Sequence, residues 1–162
     1  MPSVADDLNE MQHDGTTNTM THDGEWWGAS EYRQPAAKAR ADVVSGEIIA
    51  AAIEVHRQLG PGLLESVYRV CPARELGLRG IDHRQEAALP VTCKGLLVEA
   101  SHRIDLLVED LIIVELKSVE RLEAVHKLQL LTYLRLSGRW MGLLVNFNTN
   151  LIKNGLRRML ND

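Results

Sequence analysis

Two hydrophobic periods alternate along the chain from residue 44 onward, and most of its elements can be read from them. Ile48, Ile49, Ala52, Ile53, Val55 and Leu59 recur at helical spacing, which predicts a helix over 44–59 with Ser45 as its N-cap. Gly60-Pro61-Gly62 stops that helix and turns the chain. A second helix is predicted over 63–78, kinked or divided at Pro72, which has no backbone donor. Strand pieces follow at 83–89 and 91–93, broken at Pro90, and a third strand at 96–99 returns after a Lys94-Gly95 turn. Two more apolar strands flank a short acidic turn at Glu109-Asp110-Leu111. Residues 124–136 form a helix apolar on most sides, and 141–147 is the continuous apolar run of a central strand. A last helix is predicted over 150–160, with Lys153, Arg157 and Arg158 outward. The order α-α-β-β-β-β-α-β-α describes a single α/β domain with a mixed β-sheet flanked by helices.

The strands around the acidic turn depart from their own pattern. Asp105 and Glu115 stand where a buried strand would carry aliphatic residues, and Lys117 follows two positions after Glu115. Side chains alternate across a strand, so Glu115 and Lys117 share a face. Residues opposite one another in a hairpin have numbers that sum to a constant. A three-residue loop at 109–111 makes that sum 220 and sets Asp105 opposite Glu115 on one face. A two-residue loop would part them. Leu106, Val108, Ile112, Val114 and Leu116 then cover the reverse face. Ionised groups in such a sheet must be paired. Two pairings fit: an ion pair of Lys117 with Asp105 or Glu115, or a divalent cation, Mg²⁺ or Mn²⁺, held by the hard oxygens of the facing carboxylates. The carboxylates alone keep Lys117 protonated, whereas a bound cation favours its neutral form.

Charge divides the chain in two. Residues 1–41 carry seven acids and three bases, and residues 42–162 carry fifteen of each. The first 41 residues also lack periodicity, which predicts a disordered or loosely attached acidic tail ahead of a neutral domain over 42–162. The tail repeats Met-x-His-Asp-Gly at Met11 and Met20, a pattern better read as solvated linker than as a metal site. Its one apolar island, Trp26-Trp27, is free to dock on the domain or a partner. With so few other aromatics, it leaves a homodimer open. A neutral domain lacks the overall basic footprint of a tight non-specific nucleic-acid binder, so any such activity needs a local basic patch. Cys71 and Cys93 have no metal-ligand spacing and read as free thiols of a cytoplasmic protein. Charges interrupt every apolar run short of a membrane span, and the N-terminus has no signal-peptide pattern.

Gly62-Leu63-Leu64-Glu65-Ser66-Val67-Tyr68 reads Gly-x-x-Glu-x-x-Tyr. Collinear with it are Val55-His56, Leu89-Pro90-Val91, Lys94-Gly95, Arg103-Ile104-Asp105, Ile113-Val114-Glu115-Leu116-Lys117, Gln129 to Leu134 and Asn146-Phe147. From about Val44 to Leu160 this series resembles the GxxExxY proteins of the PD-(D/E)XK nuclease-like superfamily. The resemblance implies a restriction-endonuclease-like core and a candidate metal-dependent phosphodiester hydrolase. It implies that Glu65 is the helix carboxylate, Asp105 the first strand ligand, Glu115 and Lys117 the Glu-x-Lys pair, and Gln129 the helix residue that closes the site, with Tyr133 one turn later. Mg²⁺ or Mn²⁺ would then rest on Asp105, Glu115, the Leu116 carbonyl and Glu65. Two positions depart from the pattern: Pro72 lies where a helical apolar residue is usual, and His102 where an aromatic often precedes the Arg-x-Asp element.

Simpler roles exist for two of these residues. Glu65 could be a helix N-terminal acid facing the dipole, and Gln129 a satisfied buried amide. At the level of function the choice lies between a nuclease acting on DNA or RNA and a catalytically inactive nuclease-fold binding or interaction module. A small-molecule metalloenzyme has no positive support.

Overall fold

The structure, a computed structural model, describes residues 31–162 apart from the side chains of 99–101. Its first long element is helix α1 (Pro35–Leu59), begun by a proline that supplies no backbone donor where none is needed. Ala41, Val44, Ser45, Ile48, Ala51, Ala52 and Val55 form its buried stripe. The helix therefore takes in residues 35–41, where the lack of periodicity predicts loose tail. Ser45 is not its N-cap but an interior residue, its hydroxyl donating to the Asp42 carbonyl at 2.8 Å. Periodicity could not place this start, because Pro35 to Ala41 is mostly small and charged. The His-Asp repeats and Trp26-Trp27 lie outside the described residues.

Gly60 and Gly62, at φ 68° and 96°, turn the chain from α1 into helix α2 (Glu65–Leu78). Pro72 does not divide α2; it lies buried on the helix's inner side. Tyr68 is fully buried one turn into the helix and stacks on Phe147 at 4.6 Å between ring centres. Its hydroxyl donates to the Gly60 carbonyl and accepts the Leu63 N–H at 3.3 Å. The turn that delivers Glu65 is thus fastened by the tyrosine that follows it.

Five strands form one sheet in the order β1-β2-β3-β4-β5: β1 (His83–Cys93), β2 (Leu96–Val108), β3 (Ile112–Lys117), β4 (Met141–Asn146) and β5 (Leu156–Leu160). Only β3 and β4 are parallel, joined by helix α3 (Ala124–Ser137); the other neighbours are antiparallel. The architecture is a single α/β domain with a mixed sheet, as the periodicity predicts, but three details differ. Pro90 does not break β1, because β1 is an edge strand and a bulge between Leu89 and Val91 absorbs the missing donor. The pieces at 96–99 and 103–108 are one strand, β2. Residues 150–160 are not a helix: a 3-10 turn at Ile152–Asn154 leads into β5, which pairs along β4.

Two apolar layers sandwich the sheet. On one side α1 and α2 cover Leu106, Val108, Ile112, Val114 and Leu116 together with Met141, Leu143 and Val145. On the other, α3 places Leu130, Tyr133 and Leu134 over Ile104, Leu107, Ile113 and Leu144. Burying a side chain of this size contributes about 1.5–3 kcal/mol. A one-residue slip of the hairpin would part Asp105 from Glu115 and turn one strand's aliphatic side chains to the wrong layer, so packing and charge fix the same register. Cys71 and Cys93 are unbridged. Among the described residues no helix is long and apolar enough to cross a membrane.

Candidate active site

The β2–β3 pairs are Leu106 with Val114, Leu107 with Ile113 and Val108 with Ile112, each summing to 220. The loop is therefore three residues long, and the same register brings Asp105 to Glu115. Beyond Leu106 and Val114 side chains take over from the backbone ladder. The Asp105 N–H donates to Glu115 Oε1 at 3.3 Å, and the Leu116 N–H donates to Asp105 Oδ2 at 2.8 Å. Both carboxylates are nearly removed from solvent, with 9 % and 3 % of their residues' surface exposed. Lys117 Nζ stands 3.7 Å from Glu115 Oε2.

Helix α2 brings Glu65 and a residue the sequence reading passed over. Glu65 opens the helix and accepts the Ser118 N–H at 3.4 Å, just after Lys117. One turn on, Arg69 donates from Nη2 to Glu65 Oε1 at 2.9 Å, and its Nε lies 3.0 Å from Asp105 Oδ1. That second contact is close but not aligned as a hydrogen bond, and Nε is buried without a hydrogen-bond partner. The i, i+4 spacing of Glu65 and Arg69 was the available signal. Nothing in the sequence said that Asp105 would come within reach of the same guanidinium.

Helix α3 borders the site from the other side. Gln129 Nε2 donates to the Tyr133 hydroxyl at 2.9 Å, and His102 Nδ1 lies 3.5 Å from that hydroxyl. Burial raises the Tyr133 pKa, the Gln129 hydrogen bond opposes the rise, and the negative charges of Glu115 and Asp105 add to it. The five expected residues thus form two groups: Glu65, Asp105, Glu115 and Lys117 around the splayed strand ends, and Gln129 with Tyr133 on the α3 side. Several of the cations that a local basic patch would draw on are engaged elsewhere. Arg84 and Arg139 hold Asp110, Arg103 holds the Glu86 carbonyl, and Arg158 holds Asp42 and Ser45.

A profile of the PD-(D/E)XK nuclease superfamily matches residues 42–159, well over half of the chain, and takes in the whole of α2, β2, β3 and α3, which build this site. The chain belongs to the PD-(D/E)XK nuclease superfamily. No curated protein and no solved structure matches it. Nucleases of the superfamily generally use divalent metals, and the donors present here can be tested against that use. Among the described residues no three His, Cys, Asp or Glu side chains are gathered as a ready cage. The chemistry nevertheless fits a hard cation: Asp105 and Glu115 are adjacent, buried and oxygen-bearing, and the third carboxylate, Glu65, is one guanidinium away. The fit is complete in donor type and incomplete in assembly.

Desolvation, and after it the charge of Asp105, pushes the Glu115 pKa up to about 8 against the opposing pull of Lys117. A carboxyl that binds its proton more tightly folded than unfolded stabilises the fold fully below its unfolded pKa, about 4.3, and loses that contribution as pH rises toward the folded value. Metal-free protein is therefore expected to lose stability between about pH 5 and pH 8, by at most about 1.4 kcal/mol per pH unit from this group. Glu115→Gln should flatten that slope. Urea denaturation in chelator across this range checks the expectation; equal slopes in the two proteins would mean that Glu115 stays ionised throughout.

Proposed function

We propose that this chain is a divalent-metal-dependent phosphodiesterase of the GxxExxY kind that cleaves DNA or RNA. The observation that carries the reading is the facing pair Asp105 and Glu115 with the Lys117 ammonium beside it. In this reading Asp105, Glu115, the Leu116 carbonyl and Glu65 hold Mg²⁺ or Mn²⁺. When bound, the ion polarises a phosphodiester oxygen and lowers the pKa of a water. Lys117 positions the attacking water or neutralises charge developing on the phosphate. Gln129 spends its amide N–H on Tyr133, which leaves its carbonyl oxygen to accept from that water.

One observation favours the second reading, an interaction module that has kept the fold without the chemistry: the site already contains a cation, Arg69. An assay on single- and double-stranded DNA and RNA with Mg²⁺, Mn²⁺ or chelator separates the two. The nuclease reading expects metal-dependent cleavage of at least one substrate, falling at least about 100-fold in Lys117→Ala. Cleavage that survives Lys117→Ala and Glu115→Ala combined would come from a contaminant. Metal binding with no cleavage of any substrate would leave the interaction module.

A further inference from the structure

We infer that Arg69 is the site's resident counter-ion, a side chain that competes with a divalent cation for Glu65 and Asp105 and must swing outward before Glu65 can serve as a ligand. The inference rests on the metal-site reading of these carboxylates and adds a gate to it.

Three features of Arg69 point the same way. It is bivalent across the site, with Nη2 on Glu65 and Nε against Asp105, so one side chain occupies the two carboxylates that metal binding needs from different elements. Its hold is imperfect, because the buried Nε lies at ion-pair distance from Asp105 without forming an aligned hydrogen bond. A well-made buried Arg–carboxylate contact is a fork of two parallel hydrogen bonds, and this one is not. It also has a way out, since 42 % of its side chain is exposed even though Nε is not. Glu65 is itself loosely kept, its other oxygen accepting only a long 3.4 Å bond from Ser118.

The balance of charge explains why such an occupant exists. Among the described residues, the cations in ion-pair contact with Glu65, Asp105 and Glu115 are Lys117 and Arg69. With Arg69 absent and no metal bound, the nearly buried Asp105 would lose its nearest cation and Glu65 its partner, which is costly. With Arg69 in place the site is tolerable empty, but a divalent ion binds only to the fraction of molecules in which the guanidinium has left. Apparent affinity falls by that fraction.

Calorimetric Mn²⁺ titration of wild type, Arg69→Met and Asp105→Asn, with melting curves in chelator, tests this. Methionine keeps an unbranched apolar stem and removes the charge. The expected result is Mn²⁺ affinity about tenfold or more tighter in Arg69→Met than in wild type, together with a lower melting temperature that Mn²⁺ restores. Wild type that binds Mn²⁺ through Asp105 while Arg69→Met binds equally or more weakly would overturn the gate and leave the metal site standing. No binding by either protein would overturn both. Should Arg69→Met fail to fold, Arg69→Lys serves the same purpose. Its single ammonium cannot span both carboxylates, so its affinity should exceed that of wild type, and equality would overturn the inference.

Discussion

Asp105→Asn is expected to lower Mn²⁺ affinity by at least about 100-fold and to abolish the thermal stabilisation that the metal gives wild type. Asparagine is the informative replacement because Asp105 has two duties. One oxygen accepts the Leu116 N–H at 2.8 Å, closing the end of the hairpin where the backbone ladder stops. The other faces Arg69. An asparagine carbonyl can still accept from Leu116, so the hairpin keeps its end while the charge is lost. Asp105→Ala removes both functions and leaves a buried N–H without an acceptor, which adds a penalty of about 1–3 kcal/mol to metal-free stability. Thermal shift in Mn²⁺ and in chelator, run on both variants, separates the duties. A metal-induced shift that survives in Asp105→Asn would remove Asp105 from the ligand set.

Arg139→Ala is expected to cost about 2–4 kcal/mol of folding stability although it touches none of the candidate ligands. The loop that sets the β2–β3 register has Glu109 and Asp110 at φ 50° and 56°, where non-glycine residues are strained. External contacts hold it there. The buried Arg139 donates from Nε to the Asp110 carbonyl at 2.9 Å and from Nη2 to the Asp110 carboxylate, and it lies 4.9 Å from the centre of the Tyr32 ring. Tyr32 and Arg84 add hydrogen bonds to the same carboxylate, and Arg40 grips Glu109 with two. Alanine at 139 strips the Asp110 carbonyl of its donor and the Tyr32 ring of its cation. Arg84→Ala, at an exposed pair, should cost under about 1 kcal/mol. Denaturant unfolding of both variants checks the contrast; equal small losses would mean that the loop holds its shape unaided.

The hairpin was the most legible part of the molecule, because parity turns a loop length into a statement about faces. The ladder has the expected sum of 220 but stops at Leu106 and Val114, and Asp105 then reaches Glu115 by a hydrogen bond from its backbone N–H to the glutamate side chain. Where sequence reasoning failed, a long-range partner decided the outcome. Leu156, Met159 and Leu160 fit helical spacing as well as a strand, and only the open edge of β4 made 156–160 extended. Gly155, which packs against the Asn146 backbone, was a turn signal inside the supposed helix. Pro90 argues against a central strand but not against an edge one, and strand order cannot be read from local pattern. Arg69 escaped for a related reason. Its neighbour Glu65 is local, but Asp105 is 36 positions away, across the fold.

The bracket between α1 and α2 bears on what the Gly62-x-x-Glu65-x-x-Tyr68 heptad can report. Gly62 supplies a left-handed turn, and Tyr68, wedged against Phe147, reaches back to fasten Gly60 and Leu63. Two of its three defining residues therefore serve carpentry, and Glu65 alone faces the carboxylate cluster. A chain that had lost every trace of hydrolysis would still need the glycine and the tyrosine to keep this corner square. The heptad is a mark of shape, and the evidence for chemistry has to come from the strand ends.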